Sequence, residues 1–200
     1  MFVSRWSVAG MLTACVLSFS AHADEACEAF VSDAVHAAFD QIERQSAQDA
    51  FAAVQSTVEA TVDERKLARF TLGRFAQTAD EHQLVLFQAA LTEYLSALLL
   101  DYFDGAAGLT LEVSRSVDRS ARDCIAETII HRDNQDDLIL SWRVFRDAGN
   151  MSIVDVATTQ GGNTLWLSIE LRAQFAERLD RNGGDVEALI DELKTRRSGL

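Results

Sequence analysis

Outside the first 23 residues the chain carries three histidines, His36, His82 and His131, two cysteines, Cys27 and Cys124, and a large excess of acids. A reactive centre would have to be assembled from these. The histidines fall in three different segments, and none stands four residues from another, the spacing that puts two imidazoles over one metal on a helical face. A catalytic metal usually takes three protein ligands, so each histidine is read as exposed or singly hydrogen-bonded. Two cysteines without a neighbouring histidine cluster make a poor zinc site, and the absence of Cys-x-x-Cys removes thiol redox chemistry. No glycine-rich phosphate loop or serine elbow occurs, and Gly161-Gly162 and Gly183-Gly184 read as turns. Among the acids, Asp155 stands alone between Ile153, Val154 and Val156, and Glu127 interrupts another apolar run. Either could serve as a general base. With no nucleophile or acid partner identifiable, a hydrogen-bonded acid or one at a sheet rim is the preferred reading, and no enzyme is expected.

What remains is apolar material. Trp142, Trp166, Phe70, Phe75, Phe87, Tyr94 and Phe175, with many leucines, supply more large side chains than a thin core requires. Composition does not distinguish a filled interior from a lipid-sized cavity.

The elements that position these side chains follow from periodicity. Residues 26–44 place Phe30, Ala34, Ala38 and Ile42 on a helical stripe, and 49–62 repeat it through Phe51, Val54 and Val58. A third helix begins near Asp63. Thr78-Ala79-Asp80-Glu81 then reads as a capping box for a long helix from 79 to about 103. After Gly108 the period changes to two, and the segments 109–117, 123–132, 137–146 and 150–157 read as strands separated by turn residues. Four sequential strands with tight links make an antiparallel meander. A helix from about 164 to 181, an Asn182-Gly183-Gly184 stop and a helix capped by Asp185 close the chain. The expected fold is α+β: a curved antiparallel sheet of about four strands between N-terminal and C-terminal helices, with no linker marking a second domain.

Arg5, an uncharged stretch from Trp6 to Phe19 and Ala21-His22-Ala23 have the layout of a secretory signal cut after Ala23. The run is too short to span a bilayer, which needs about 20 residues. A cut before Cys15, at Leu12-Thr13-Ala14-Cys15, is the less favoured alternative, because the apolar run continues through Val16, Leu17 and Phe19. Export leaves 177 of the 200 residues as one expected domain, 24–200. It removes Arg5 and no acid, so the formal charge moves from −13 to −14. Such a surface repels nucleic-acid backbones. In an oxidising compartment the remaining pair Cys27 and Cys124 is expected to bridge, tying the first helix to a central strand.

Four segments together resemble the MlaC family of phospholipid-binding proteins of the periplasm, also called toluene-tolerance or organic-solvent-resistance proteins. They are KLARFTLGRF at 66–75, FQAALTEYLSALLLDYFDG at 87–105, DLILSWRVFRDAGNMSIVDVAT at 137–158 and ELRAQFAERLDRNGGDVEALIDELKTR at 170–196. The resemblance implies a cone-like domain of the nuclear-transport-factor kind. It also implies a soluble, monomeric carrier with no cofactor, ferrying a phospholipid between an outer-membrane lipoprotein and porin complex and an inner-membrane ABC transporter with its lipid-binding subunit. By position it nominates Trp142, Val144, Val154, Val156, Leu165, Ile169 and Leu171, with Phe87, Leu91 and Leu95 from the facing helix, as pocket wall. Arg172 matches a recurrent family arginine, as a phosphate ligand or an ion-pair member. The chain departs from the family pattern at Gly161-Gly162-Asn163-Thr164-Leu165 and at Glu170-Leu171. These departures leave ligand identity open, and a hopanoid is the alternative cargo.

Overall fold

The computed structural model describes residues 25–44, 47–102, 110–131, 136–160 and 162–197. Both candidate signal-cleavage sites, and the Asp104-Gly105 stop expected after the long helix, lie outside them. Helix α1 spans Glu25–Arg44, α2 Ala47–Thr61, α3 Glu64–Leu72 and α4 Glu81–Tyr102, with a 3-10 turn at Gly73–Gln77 between the last two. Strands β1 (Thr110–Ser120), β2 (Asp123–His131), β3 (Leu138–Asp147), β4 (Asn150–Gln160) and β5 (Asn163–Trp166) follow, then α5 (Leu167–Arg181) and α6 (Val186–Arg197).

The five strands form an antiparallel meander in the order β1-β2-β3-β4-β5. The fifth strand extends the sheet of about four that was expected: the helix expected from about 164 begins at Leu167, and Asn163–Trp166 are strand. Alternation on β2 buries Cys124, Ala126, Thr128 and Ile130, and their partners on β3 are Val144, Trp142, Leu140 and Leu138. Those eight side chains make one apolar face. On β4 the alternation breaks. Arg143 pairs with Asp155 and Val144 with Ile153, so Val154 is an extra, bulged residue. Ile153 and Val156 therefore pack in the same apolar cluster, while Val154 faces elsewhere.

Helix α1 covers this face, packing on β1, β2 and α2, and a Cys27–Cys124 disulfide fastens its first turns to β2. The remaining helices build a second core. Phe87, Leu91 and Leu95 of α4 meet Leu67 and Leu72 of α3, Leu171, Phe175 and Leu179 of α5, and Leu189 and Leu193 of α6. Because α4 is packed by α2, α3 and α6, its apolar residues run around most of its circumference. Its start is fixed by a reciprocal box on Asp80 and Gln83, not Thr78 and Glu81: the Gln83 N–H donates to Asp80 Oδ1 (2.8 Å) and the Asp80 N–H to Gln83 Oε1 (3.1 Å). Asp185 caps α6 as expected, accepting from the Ala188 N–H at 3.0 Å.

Between α2 and α3 the chain crosses the edge of the sheet. Strand β5 pairs only with residues 157–160 of β4, leaving the first half of that edge unpaired. Val62 fills part of it as a parallel bridge to Ile153, and the Asp63 N–H donates to the Ile153 carbonyl at 2.9 Å. An exposed edge is thereby capped by the protein's own backbone. Val62 packs against both apolar clusters.

Candidate functional site

Two concavities flank this crossing. The first is an apolar seam of about 60 Å³ between α1, α2, the end of α4 and the sheet. Val35, Ala38, Phe39 and Ile42 of α1 form one wall, Val54, Val58 and Val62 the second, and Leu99, Trp142 and Ile153 the floor. No charged side chain lines it. Its two hydroxyls are turned back to helix carbonyls, Thr57 Oγ1 to Ala53 (3.1 Å) and Thr61 Oγ1 to Thr57 (2.7 Å). The Trp142 indole N–H donates to the buried Thr128 Oγ1 at 2.9 Å, so the seam presents only hydrocarbon. A polar group could enter only by losing its hydrogen bonds to water, at a cost of roughly 2–7 kcal/mol.

The second is an open cleft of about 500 Å³ on the other face of the sheet. Helix α3 contributes Lys66, Leu67 and Phe70, β1 Arg119, β3 Arg143 and Phe145, β4 Val154 and Asp155, and the β5–α5 junction Trp166, Ser168 and Ile169. Its one lining acid is committed to structure. Asp155 Oδ1 accepts the N–H groups of Val156 and Ser168, both at 3.0 Å, and Oδ2 accepts the Ser168 hydroxyl at 2.6 Å. Trp166, at the N-cap position of α5, offers no side-chain bond, so Asp155 supplies the cap from a neighbouring strand. Glu127 is likewise taken, by Arg115 (3.1 and 2.9 Å) and Ser114. The serine hydroxyls that each acid accepts, Ser168 on Asp155 and Ser114 on Glu127, are donors to these carboxylates with no histidine beside them in either set of bonds.

The cleft cations are held from behind. Arg143 makes a two-pronged pair with Asp123 at 3.1 and 2.8 Å, and hydrogen bonding to that carboxylate pushes its pKa up. Arg119 lies 3.7 Å from the same carboxylate. Lys66 Nζ sits 2.6 Å from Asp63 Oδ2 and 4.6 Å above the Phe145 ring. Burial works against the ionised Asp63 carboxylate, but bonds from the Lys66 side chain and backbone, with the charges of Lys66 and Arg65, outweigh it and leave its pKa below the ordinary value.

The pocket residues nominated from sequence are distributed over several surroundings. Phe87, Leu91, Leu95 and Leu171 meet one another in the helical core. Trp142, Val144 and Val156 share the α1-covered sheet face, where Trp142 floors the seam. Val154 and Ile169 line the cleft, Ile169 half exposed. Leu165 is exposed on β5. Arg172 lies 5.0 Å above the Phe70 ring at the cleft rim, and its Nε would stand 3.1 Å from a Cβ placed on Gly73. Arg69 and Arg74 pair with Glu81 and Asp180. Sequence reading missed the seam walls on α1 and α2, whose stripes were legible as helix faces but not as faces over a void. It also missed Lys66, Arg119 and Arg143 as neighbours. Among the described residues, no group of three or more metal-ligating side chains occurs.

Comparison with known families and structures finds matches of both kinds. The family model described as "MlaC protein" matches residues 31–195. The solved structure of a phospholipid-binding protein from Ralstonia solanacearum in complex with a phospholipid superposes with a TM-score of 0.72 at 21% identity, covering 86% of this chain and 97% of that one. No curated protein matches the sequence.

Proposed function

The chain belongs to the MlaC family, and from that premise we propose that it binds a phospholipid by its acyl chains and carries it across the periplasm. The observation that carries this reading is the seam. It is a charge-free gap between two helices and a sheet, in a small acidic protein that has enough apolar residues to close it. Each acyl methylene withdrawn from water contributes about 0.8 kcal/mol, so a dry hydrocarbon wall is what a carrier requires. At about 60 Å³ the seam is the closed form of such a pocket. Loading must move α1 and α2 off Trp142 and Ile153. The disulfide holds α1 to β2 near its N-terminus, which leaves the Phe39 and Ile42 end to swing. In this reading Trp142 is the floor with Val156 packed in the same cluster, and Phe87, Leu91, Leu95 and Leu171 are the packed base against which the helices move.

The periplasmic location fits the family. The finer reading is that residues 1–23 are removed after Ala23, that 24–200 act as one soluble lipid-binding domain, and that the monomer exchanges cargo between an outer-membrane lipoprotein and porin complex and an inner-membrane ABC transporter with its lipid-binding subunit. The chain is to be expressed with its own first 23 residues and recovered from the periplasm, and its mass measured before and after denaturation. A chain beginning at Asp24 that releases one phospholipid on denaturation is the expected result. A chain that stays empty after incubation with phospholipid vesicles would overturn the carrier reading.

A further inference from the structure

The cleft on the opposite sheet face is chemically unlike the seam. In a chain of net charge −13, its lining gathers three cations, Lys66, Arg119 and Arg143, with Asp155 beside them and Asp63 and Asp123 behind. We propose that this cleft binds the phosphate-ester group of an anionic lipid head, with Lys66 and Arg119 as its contacts. The inference rests on the carrier reading and adds the class of headgroup.

Three observations carry it. Asp155, the one acid in the lining, already accepts three hydrogen bonds, two of them holding the start of α5. An ammonium headgroup would find no uncommitted carboxylate there. Asp123, behind the wall, is shared between two guanidiniums: Arg143 occupies both its oxygens, and Arg119 reaches it only at 3.7 Å. One carboxylate does not balance two cations, so Arg119 keeps donors for an anion, in a planar fork that matches phosphate oxygens. Lys66, across the cleft, is held by Asp63 and by the Phe145 ring face, and carries three N–H donors. Both side chains remain about half exposed, at 54% and 50%. The surrounding surface is amphiphilic as well. Phe70 and Ile169, at 41% and 53% exposure, stand beside these cations. A volume of about 500 Å³ lies in the range of ligand pockets.

The distance to the seam is short along the chain. Ile153 lines the seam and Val154 the cleft, as successive strand residues face opposite sides, and the β4 bulge sets Asp155 on the cleft side as well. The Val62–Asp63 crossing runs beside both, with Lys66 one helical turn further on.

The mature protein is to be incubated with vesicles equimolar in phosphatidylglycerol and phosphatidylethanolamine, repurified, and its bound lipids counted by mass spectrometry. In parallel, inorganic phosphate is titrated while the Lys66 and Ser168 amides are followed by NMR. Phosphatidylglycerol is expected in about tenfold excess. That excess should fall to about twofold in the double variant Lys66→Gln, Arg119→Gln. It should hold in Arg181→Gln, which removes a like charge paired with Glu177 outside the cleft. Bound lipid without phosphatidylglycerol excess, or an excess the double variant does not reduce, overturns the proposal and leaves the carrier reading standing. No bound lipid at all overturns the carrier reading and, with it, the headgroup assignment. Millimolar phosphate that moves both amides while lipid shows no headgroup preference likewise overturns the headgroup assignment and leaves free phosphate as the anion of the cleft.

Discussion

Filling the seam separates stability from loading, because the two respond in opposite directions. Ala38, on the α1 wall, is the position where a larger side chain enters the gap. In Ala38→Leu, occupying the void of about 60 Å³ is worth up to about 1.4 kcal/mol at roughly 24 cal/mol per Å³. The three added carbons contribute up to about 2.4 kcal/mol at 0.8 each. Against these stands overpacking, about 1–3 kcal/mol, since a leucine exceeds the gap and must displace Phe39 or Trp142. The expected net is a lipid-free protein about 1 kcal/mol more stable than the parent. At an m-value of about 2 kcal/mol/M, that is a rise of about 0.5 M in the urea midpoint by tryptophan fluorescence. Lipid loading should fall by at least tenfold, measured as the phospholipid-bound fraction in native mass spectra after vesicle incubation. A fall in stability of 3 kcal/mol would refute the void. Undiminished loading would refute the seam as the acyl site and move it to the cleft or the helical core.

Two further outcomes test the scaffold. Replacing Cys27 and Cys124 by alanine opens a cross-link spanning 97 residues of sequence and should cost about 4 kcal/mol in the urea titration; a loss below 1 kcal/mol would mean that α1 is fixed to the sheet by packing alone. Asp63 sets a pH dependence: its folded pKa is lowered, so its contribution is fully present above the unfolded value of about 3.9 and is lost as pH falls through the lower folded value. Asp63→Asn keeps an acceptor for the Lys66 N–H and should flatten that part of the stability–pH curve between pH 2.5 and 6, whereas superimposable curves for variant and parent would show that Asp63 does not couple protons to folding.

The long elements were legible because their periods are unambiguous. Strand β2 alternates strictly, and the turn at Ala148 and Gly149, both at positive φ, is the two-residue link expected of a hairpin. Strand β5 was not legible, for a physical reason. It has four residues, passes directly into α5, and places Leu165 four positions before Ile169, so it imitates the first turn of an amphipathic helix. What ends it is Asp155, whose carboxylate caps α5 from a different strand. Local sequence holds no record of a cap contributed from 13 residues away. The start of α4 was displaced for a smaller reason: Thr78 and Asp80 are both good caps, and only the Gln83 side chain, returning to the Asp80 N–H, decides between them.

The candidate site was harder to read than the fold because hydrophobic pattern says that a side chain is inside without saying inside what. Phe87, Leu91 and Leu171 satisfy that pattern by packing on α6, and Trp142 and Val156 satisfy it under α1. Plain alternation along β4 would set Val154 beside Val156, and it is the bulge that separates them. One extra residue therefore partitions the molecule chemically. Ile153 and Val156 join the hydrocarbon face, while Val154 and Asp155 join a face furnished with Lys66, Arg119 and Arg143. An amphiphile needs both kinds of surface, and β4 contributes residues to each, on opposite sides of the sheet.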